Sequence, residues 1–413
     1  MTTAGGIVDR RRDLVVGALC AYLAVVTVAP VATTPDRSDD IFNRGRPQLF
    51  AASGLSVLEY LVDWVGSWVR DQGRFFPGSA VWTFAVFTTF QSRFTYKLFV
   101  AGLVLLMIAL AAATVATLST PPAAAVAIAT LAAAVHLRDF FDGVDSFSGI
   151  LPATVAATLA CLLLLVRRRG WVTAILSVPI WVFVLLTYEV AVTLVPTLCA
   201  LVWWMTRRWV RMLPLLVPAV AVVAAVTVLR SHVTSFVGNA YLMNLEPERV
   251  VATYLKQAAG ALPWSTQWYP GTTARMTFEP AMLVLTLVLV AVPVAVLLTL
   301  VARERLDVSR AGLARLALLG ASMWLLPPVL VAVSLGWQNE LPAGQAYVSV
   351  VWGYVGVAVL GAAGWLALAR GESVTWSPRR LMLHLATVVI ALAAAASVAQ
   401  SIAVAALLAT NPH

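Results

Sequence analysis

The stretch LFVAGLVLLMIALAAATVATL, residues 98–118, carries no charge and no proline. At 1.5 Å per residue a helix of that length covers about 30 Å, the thickness of a bilayer's hydrocarbon core. Similar Ala-, Leu- and Val-rich runs recur along the chain. Hydrophobic residues make up 61% of it and charged residues 11%, against roughly 45–50% and about 25% in soluble domains. The runs lack the alternation of a barrel strand, and in lipid only helices or closed barrels satisfy the backbone. The sequence therefore predicts an all-α, polytopic membrane helix bundle.

The net charge of +9 could suggest nucleic acid, but its distribution argues against that. Arg10-Arg11-Arg12, Arg167-Arg168-Arg169, Arg207-Arg208 with Arg211, Arg303 with Arg305, and Arg379-Arg380 all flank apolar segments. That is the positive-inside pattern, so the excess reports topology. Cys20, Cys161 and Cys199 lie inside apolar runs and form neither a disulfide framework nor a zinc pattern.

Segment 14–32 reads as an uncleaved signal-anchor leaving the Arg-rich cytoplasmic side. Residues 33–77 then form a first extracytoplasmic loop. It is dense in charge: Asp36, Arg37, Asp39, Asp40, Arg44, Arg46, Glu59, Asp63, Arg70, Asp71 and Arg74. Within it Leu55, Leu58, Val62, Val65 and Val69 recur at helical spacing, so Leu49 to Val69 reads as an amphipathic helix lying in the interface.

Four apolar candidates follow, 78–91, 98–118, 122–137 and 149–166, yet Arg167 to Arg169 require an odd number of crossings. The short ones, 78–91 and 122–137, are the two in question. Either solution leaves His136 to Asp145 outside. The run 171–206 is too long for one helix and must fold back, with Tyr188-Glu189 at its outer tip. A carboxylate at membrane depth is costly and marks function by default; a solvated turn is the plain alternative. Segment 213–230 leads to a large extracytoplasmic loop, 231–279. There Glu246 to Ala259 reads as a helix ended by Gly260, and Trp264 with Trp268 to Gly271 as an aromatic turn. Segments 280–301, 315–335, 346–369 and 382–408 complete about eleven spans, in a range of about 10–13, within one transmembrane domain over 1–413.

The adjacent pair Asp39-Asp40 has three readings. One carboxylate could act as general base toward a hydroxyl. The two together could hold a divalent cation through oxygen ligands. Or both are solvated loop charges. Arginine is unusually common on this face, and guanidinium forks match phosphate oxygens. The counter-reading is local pairing of those arginines with Asp36, Asp63 and Asp71. His136 and His232, alone at outer boundaries, read as capped or snorkelling side chains.

The signal-anchor, the Asp39-Asp40 loop, the interfacial helix, Gly73-Arg74-Phe75-Phe76-Pro77, Arg138-Asp139-Phe140-Phe141-Asp142 and the Tyr188-Glu189 tip together resemble GT-C-type membrane glycosyltransferases of bacteria. The resemblance implies a polyprenyl-phosphate sugar as donor, a cell-envelope glycan or lipid as acceptor, and work on the extracytoplasmic face of the plasma membrane. It implies a first-loop acidic base, here Asp39 or Asp40. Arg44, Arg74, Arg138, Asp139, Asp142, Tyr188 and Glu189 are then the expected substrate-binding residues. A lipid-linked oligosaccharide polymerase, ligase or flippase would share the spans and outer arginines. A secondary transporter would need intramembrane charge and related halves.

Overall fold

A computed structural model of the chain describes residues 4–37, 39–139, 142–167, 170–232, 242–263, 265, 280–304, 306–342, 345–370 and 377–410. These are almost wholly helical, and the isolated bridge between Met243 and Ser334 is the only β pairing among them. Among the described residues nine helices are long and apolar enough to cross a membrane: Arg10–Thr33, Arg93–Leu118, Phe147–Arg167, Glu189–Thr206, Trp209–Ser231, Pro280–Ala302, Arg310–Ala332, Val350–Ala369 and Pro378–Thr410. Ala123–Ala134 and Trp171–Thr187 are shorter apolar helices. Large side chains such as Ile175, Val217, Val220 and Val389 stand exposed on the bundle's outer surface, which suits hydrocarbon rather than water as solvent. The chain is a multi-pass membrane protein.

The two short candidates of the N-terminal half separate cleanly. Ala123–Ala134 lies inside the bundle, packed on Arg93–Leu118, Val350–Ala369 and Pro378–Thr410, with most of its residues buried. Being wrapped in protein, it does not need a full hydrocarbon length. After Ala134 the backbone leaves the helix but stays satisfied: Ser401 Oγ accepts from Leu137 N at 3.0 Å, and Gln400 Nε2 donates to Leu137 O at 3.0 Å. Irregular backbone inside a bundle is tolerated only when covered by protein in this way. Pro77–Thr89 instead has both ends at one end of the bundle. Gly78 abuts Thr187 and Leu186, while Arg44 donates to Gln91 O just beyond the helix's other end.

The run 171–206 folds back as its length requires. Trp171–Thr187 is followed by a 3-10 turn, Glu189–Leu194, and then by Val195–Thr206. The expected single interfacial helix over Leu49 to Val69 is corrected to two, Arg46–Ser53 and Val57–Gln72. Gly54 breaks it in the left-handed region at φ 68°, which a side-chain-bearing residue rarely adopts. Ser56 then starts the second helix with a capping box: its hydroxyl accepts from Glu59 N while the Glu59 carboxylate accepts from Ser56 N. Gly73, also left-handed, ends it. The helix expected at Glu246 to Ala259 is present as Pro247–Ala259, followed by Gly260. The aromatic turn at Trp264 and Trp268 to Gly271 lies outside the described residues, as do Phe140 and Phe141.

The closest helix packing joins Arg310–Leu325 to Val350–Ala369 through small residues. A Cβ on Gly356 would stand 2.6 Å from Gly320 O, and one on Gly320 2.9 Å from Gly356 O. Small residues at such crossings let backbones approach where lipid offers no hydrophobic drive. Gly356→Ala should therefore destabilise the bundle by about 1–3 kcal/mol through overpacking. Gly364→Ala, whose Cβ would meet nothing within 4 Å, should not. Thermal unfolding of the two variants in one detergent measures the contrast.

Candidate functional site

The adjacent aspartates begin the short helix Asp39–Asn43 and part at once. Successive residues on a helix point about 100° apart, so one side chain enters the protein as the other leaves it. Asp40 is fully buried. Its Oδ2 lies 2.6 Å from the Tyr96 hydroxyl and 4.0 Å from Lys97 Nζ, and its Oδ1 accepts from Ser148 N at 2.8 Å. Burial pushes its pKa up to about 7, against the opposing pull of Lys97 and of its hydrogen bonds.

The loop 142–149 is built around these bonds. Phe147 and Ser148 both occupy the left-handed region, at φ 57° and 52°. Each such residue costs on the order of 1–3 kcal/mol and persists only where its surroundings fix it. Here Asp40 takes the Ser148 amide, Trp82 Nε1 donates to Ser148 O at 2.9 Å, and Thr83 bonds the Ser148 hydroxyl at 2.8 Å. Beneath the loop lie further buried charges. Arg37 donates to Arg138 O at 2.7 Å and to Asp139 O, and pairs with Asp145 at 3.5 Å. Lys97 donates to Asp145 O. The Asp142 carboxylate accepts from the amides of Arg138 and Val144, tying off the turn, and burial beside Asp145 raises its pKa.

Asp39 opens instead into a cavity of about 350 Å³. The cavity is lined by Phe42, Asn43, Arg46, Trp64, Trp68, Arg74, Phe76, Ser79, Thr83, Phe147, Tyr188, Tyr347 and neighbouring aliphatic residues. The Asp39 side chain is exposed to the cavity, yet the protein around it partly desolvates the carboxyl. That desolvation raises its pKa while the Arg74 charge pulls it down. Arg74 sits over Phe76 and Tyr188 and donates twice to Glu189, at 3.0 and 3.3 Å. On the far wall, Gln257 of Pro247–Ala259 fixes Tyr347 by accepting its amide at 2.7 Å and donating to its carbonyl at 3.0 Å. An accessible, partly desolvated carboxylate among polar and aromatic side chains can accept a proton from a bound hydroxyl.

Of the expected site residues, the structure brings Asp39, Arg74 and Tyr188 to this cavity, with Glu189 behind Arg74. Others go elsewhere. Arg44 is held by both carboxylate oxygens of Asp36 and by Gln91 O, as the local-pairing reading has it. Arg138 is fully buried and donates to Gly260 O and Gln345 Oε1, so it braces loops rather than facing the cavity. Asp139 accepts from Gln345 Nε2 at 2.9 Å, and Asp142 is committed to its own turn. Because Asp39 and Asp40 diverge, the pair does not present a joint oxygen face to a cation. Among the described residues no group of three or more His, Cys, Asp or Glu converges. His136 is buried beside Arg138, its Nδ1 on Ala134 O at 2.8 Å and its pKa lowered to about 3, which makes it a neutral core histidine. Sequence reasoning counted Arg37 among the loop charges without giving it a role, and did not single out Lys97. The one available signal was a lysine immediately preceding a 21-residue uncharged run. Comparison with protein-family models, curated proteins and solved structures finds no match.

The raised pKa of Asp40 has a stability consequence. Its folded value, about 7, lies above the ordinary 3.8, so folding takes up a proton. The contribution is complete below about pH 4 and is lost as pH rises through about 7. Wild-type thermal stability should fall from about pH 5 to about pH 8, and Asp40→Asn, neutral throughout, should reduce that slope to the part that Asp142, raised in the same way, still contributes. Asp40→Ala removes the acceptor for the Ser148 amide and should cost about 1–3 kcal/mol at any pH. Asp39→Ala should leave the unfolding midpoint in place.

Proposed function

We propose that this chain is a membrane glycosyltransferase that moves a sugar from a polyprenyl-phosphate donor to a cell-envelope acceptor. The observation that carries the reading is the cavity carboxylate. Asp39 is partly desolvated, accessible and adjacent to guanidinium charge, in a chamber roofed by an amphipathic helix at one end of a membrane bundle. The resemblance of the first loop to GT-C-type enzymes supports the same assignment. In this reading the nine long helices and the two short apolar ones make eleven crossings. The N-terminus is cytoplasmic, and the cavity opens on the extracytoplasmic face of a bacterial plasma membrane.

The chemistry follows from the groups present. The acceptor hydroxyl attacks the anomeric carbon as the bond from that carbon to the lipid phosphate oxygen breaks. The bonding pair leaves with the phosphate, and Asp39 takes the hydroxyl proton. The departing phosphate is stabilised by guanidinium charge, an electrostatic contribution that acts where negative charge develops. The aromatic walls offer faces for a sugar ring. Of the two aspartates, Asp39 is the base and Asp40 holds the floor.

Membranes carrying Asp39→Asn should transfer sugar from a polyprenyl-phosphate donor about 10²–10⁴-fold more slowly than wild type. The acid limb of the wild-type pH–rate profile should lie above the ordinary carboxylate value of 3.8, because the Asp39 pKa is raised. An Asp39→Asn rate equal to wild type sinks the assignment. One observation favours a second reading, secondary transport: Asp40, with its pKa near 7, lies buried beside Lys97, as in a proton-coupled carrier. Proton-driven uptake of a soluble solute into liposomes, abolished by Asp40→Asn, would select it.

A further inference from the structure

We infer that Arg46, and neither Arg74 nor Arg138, is the residue that grips the phosphate of an amphiphilic ligand in this cavity. The inference deepens the reading above and rests on it. Its first support is charge accounting. Two guanidiniums line the cavity, Arg46 and Arg74. Arg74 is engaged by both oxygens of Glu189, so an arriving phosphate would compete with a carboxylate already in place. Asp39, the carboxylate that lines the cavity, is influenced by Arg74. Among the described residues, Arg46 has neither an ion pair nor a side-chain hydrogen bond, and its charge stays uncompensated.

The second support is geometry. The Arg46 guanidinium lies 4.2 Å from the centre of the Trp64 ring. A guanidinium held by its face on an indole keeps its in-plane N–H donors free, and their fork matches two phosphate oxygens. Stacking also removes side-chain freedom before any ligand arrives, which lowers the ordering cost of binding. Trp64 is itself fixed, 7% exposed on a capped helix. Arg46 is therefore a pre-positioned cation without an anion.

The third support identifies the phosphate's source. The helix Val57–Gln72 that carries Trp64 presents another face to a separate apolar groove of about 680 Å³. Leu58, Val62, Val65 and Val69 line it from that helix, joined by Phe75 and Leu229; its polar members are His232 and Arg70, the latter paired with Asp71 at 3.8 Å. Chain neighbours divide between the compartments: Trp64 and Phe76 line the cavity, and Val65 and Phe75 line the groove. One helix thus separates a cationic, aromatic chamber from an apolar one. A phosphate attached to a long hydrocarbon chain suits both together, whereas free phosphate would use only the first.

Binding to purified protein in neutral phosphatidylcholine nanodiscs tests this without any turnover. Three probes are compared: a long-chain isoprenyl monophosphate, the isoprenyl alcohol of equal length, and inorganic phosphate. Wild type should bind the isoprenyl phosphate at least about tenfold more tightly than either of the others. Arg46→Gln should lose about tenfold or more for the isoprenyl phosphate while holding its affinity for the alcohol, which also reports an intact fold. Arg46→Lys should recover only part of the loss, since a point charge replaces a fork. Unchanged isoprenyl phosphate affinity in Arg46→Gln overturns the inference, and so does inorganic phosphate binding as tightly as the lipid. Absent sugar transfer together with an Arg46-dependent preference for the lipid phosphate would remove the transferase reading and leave this subsite standing.

Discussion

The buried contacts of Asp40 and Arg37 hold together three stretches that are distant in the chain. Asp40 joins the segment after the first helix to Tyr96 and Lys97 at the start of Arg93–Leu118 and to Ser148 before Ile150–Arg167. Arg37, three residues earlier, reaches the carbonyls of Arg138 and Asp139 and the Asp145 carboxylate. In this cluster the buried cations Arg37, Lys97 and Arg138 stand with the buried carboxylates Asp40, Asp142 and Asp145, while Arg211, also buried, is held elsewhere by the Leu165 and Gly170 carbonyls. Taking charges out of water costs several kcal/mol per ion, which close pairing and hydrogen bonding only offset. Such a cluster is a poor source of net stability. It is a demanding specification of geometry, because removing a partner leaves a buried charge or donor uncompensated.

The cavity depends on that specification. With Asp40 drawn into the floor, the helical turn at Asp39–Asn43 leaves Asp39 pointing to the other side. The same bonds keep Phe147 and Ser148 in left-handed backbone, which sets Phe147 into the cavity wall. The two adjacent carboxyls are both raised in pKa, by one cause to different degrees. Asp40 is enclosed and taken to about 7. Asp39 keeps access to the cavity and has Arg74 to favour its charged form. A structural acid and a candidate base thus arise from neighbouring residues through unequal burial and, at Asp39, the Arg74 charge.

Much of the bundle was legible because lipid leaves few choices. Uncharged runs of about 20 residues become helices, and 171–206, too long to be one helix, turns at Tyr188-Glu189. The stop at Gly260 was a local signal, readable without tertiary knowledge; the capping box at Ser56 is as local, yet the expected helix over Leu49 to Val69 ran through it. The failures share a different cause. Arg44 and Arg46 are near neighbours of identical chemistry, yet Asp36 occupies the first while Trp64 supports the second. Asp39 and Asp40 are indistinguishable until Ser148, more than 100 residues away, selects one of them. Arg138 looked like a surface cation, and it is buried because Gly260 and Gln345 fold over it. Hydropathy fixes where helices lie. Which polar side chain faces which neighbour is a long-range property.

The roof of the cavity has an energetic independence that bears on access. Tyr60 and Trp64 of Val57–Gln72 pack with Ala80 and Phe84 in a small cluster separate from the main core, supported by Phe50. The floor, by contrast, is tied into the bundle by the buried charges and by helices that span its length. Elements with few buried contacts open at lower free energy than the core they rest on. The Val57–Gln72 helix is capped at both ends, so it can shift as a unit without unravelling. In the proposed reading an amphiphile enters the cavity from the membrane and must displace part of its wall. The contacts under this helix include none of the bonds of Asp40, so their loss leaves the floor in place.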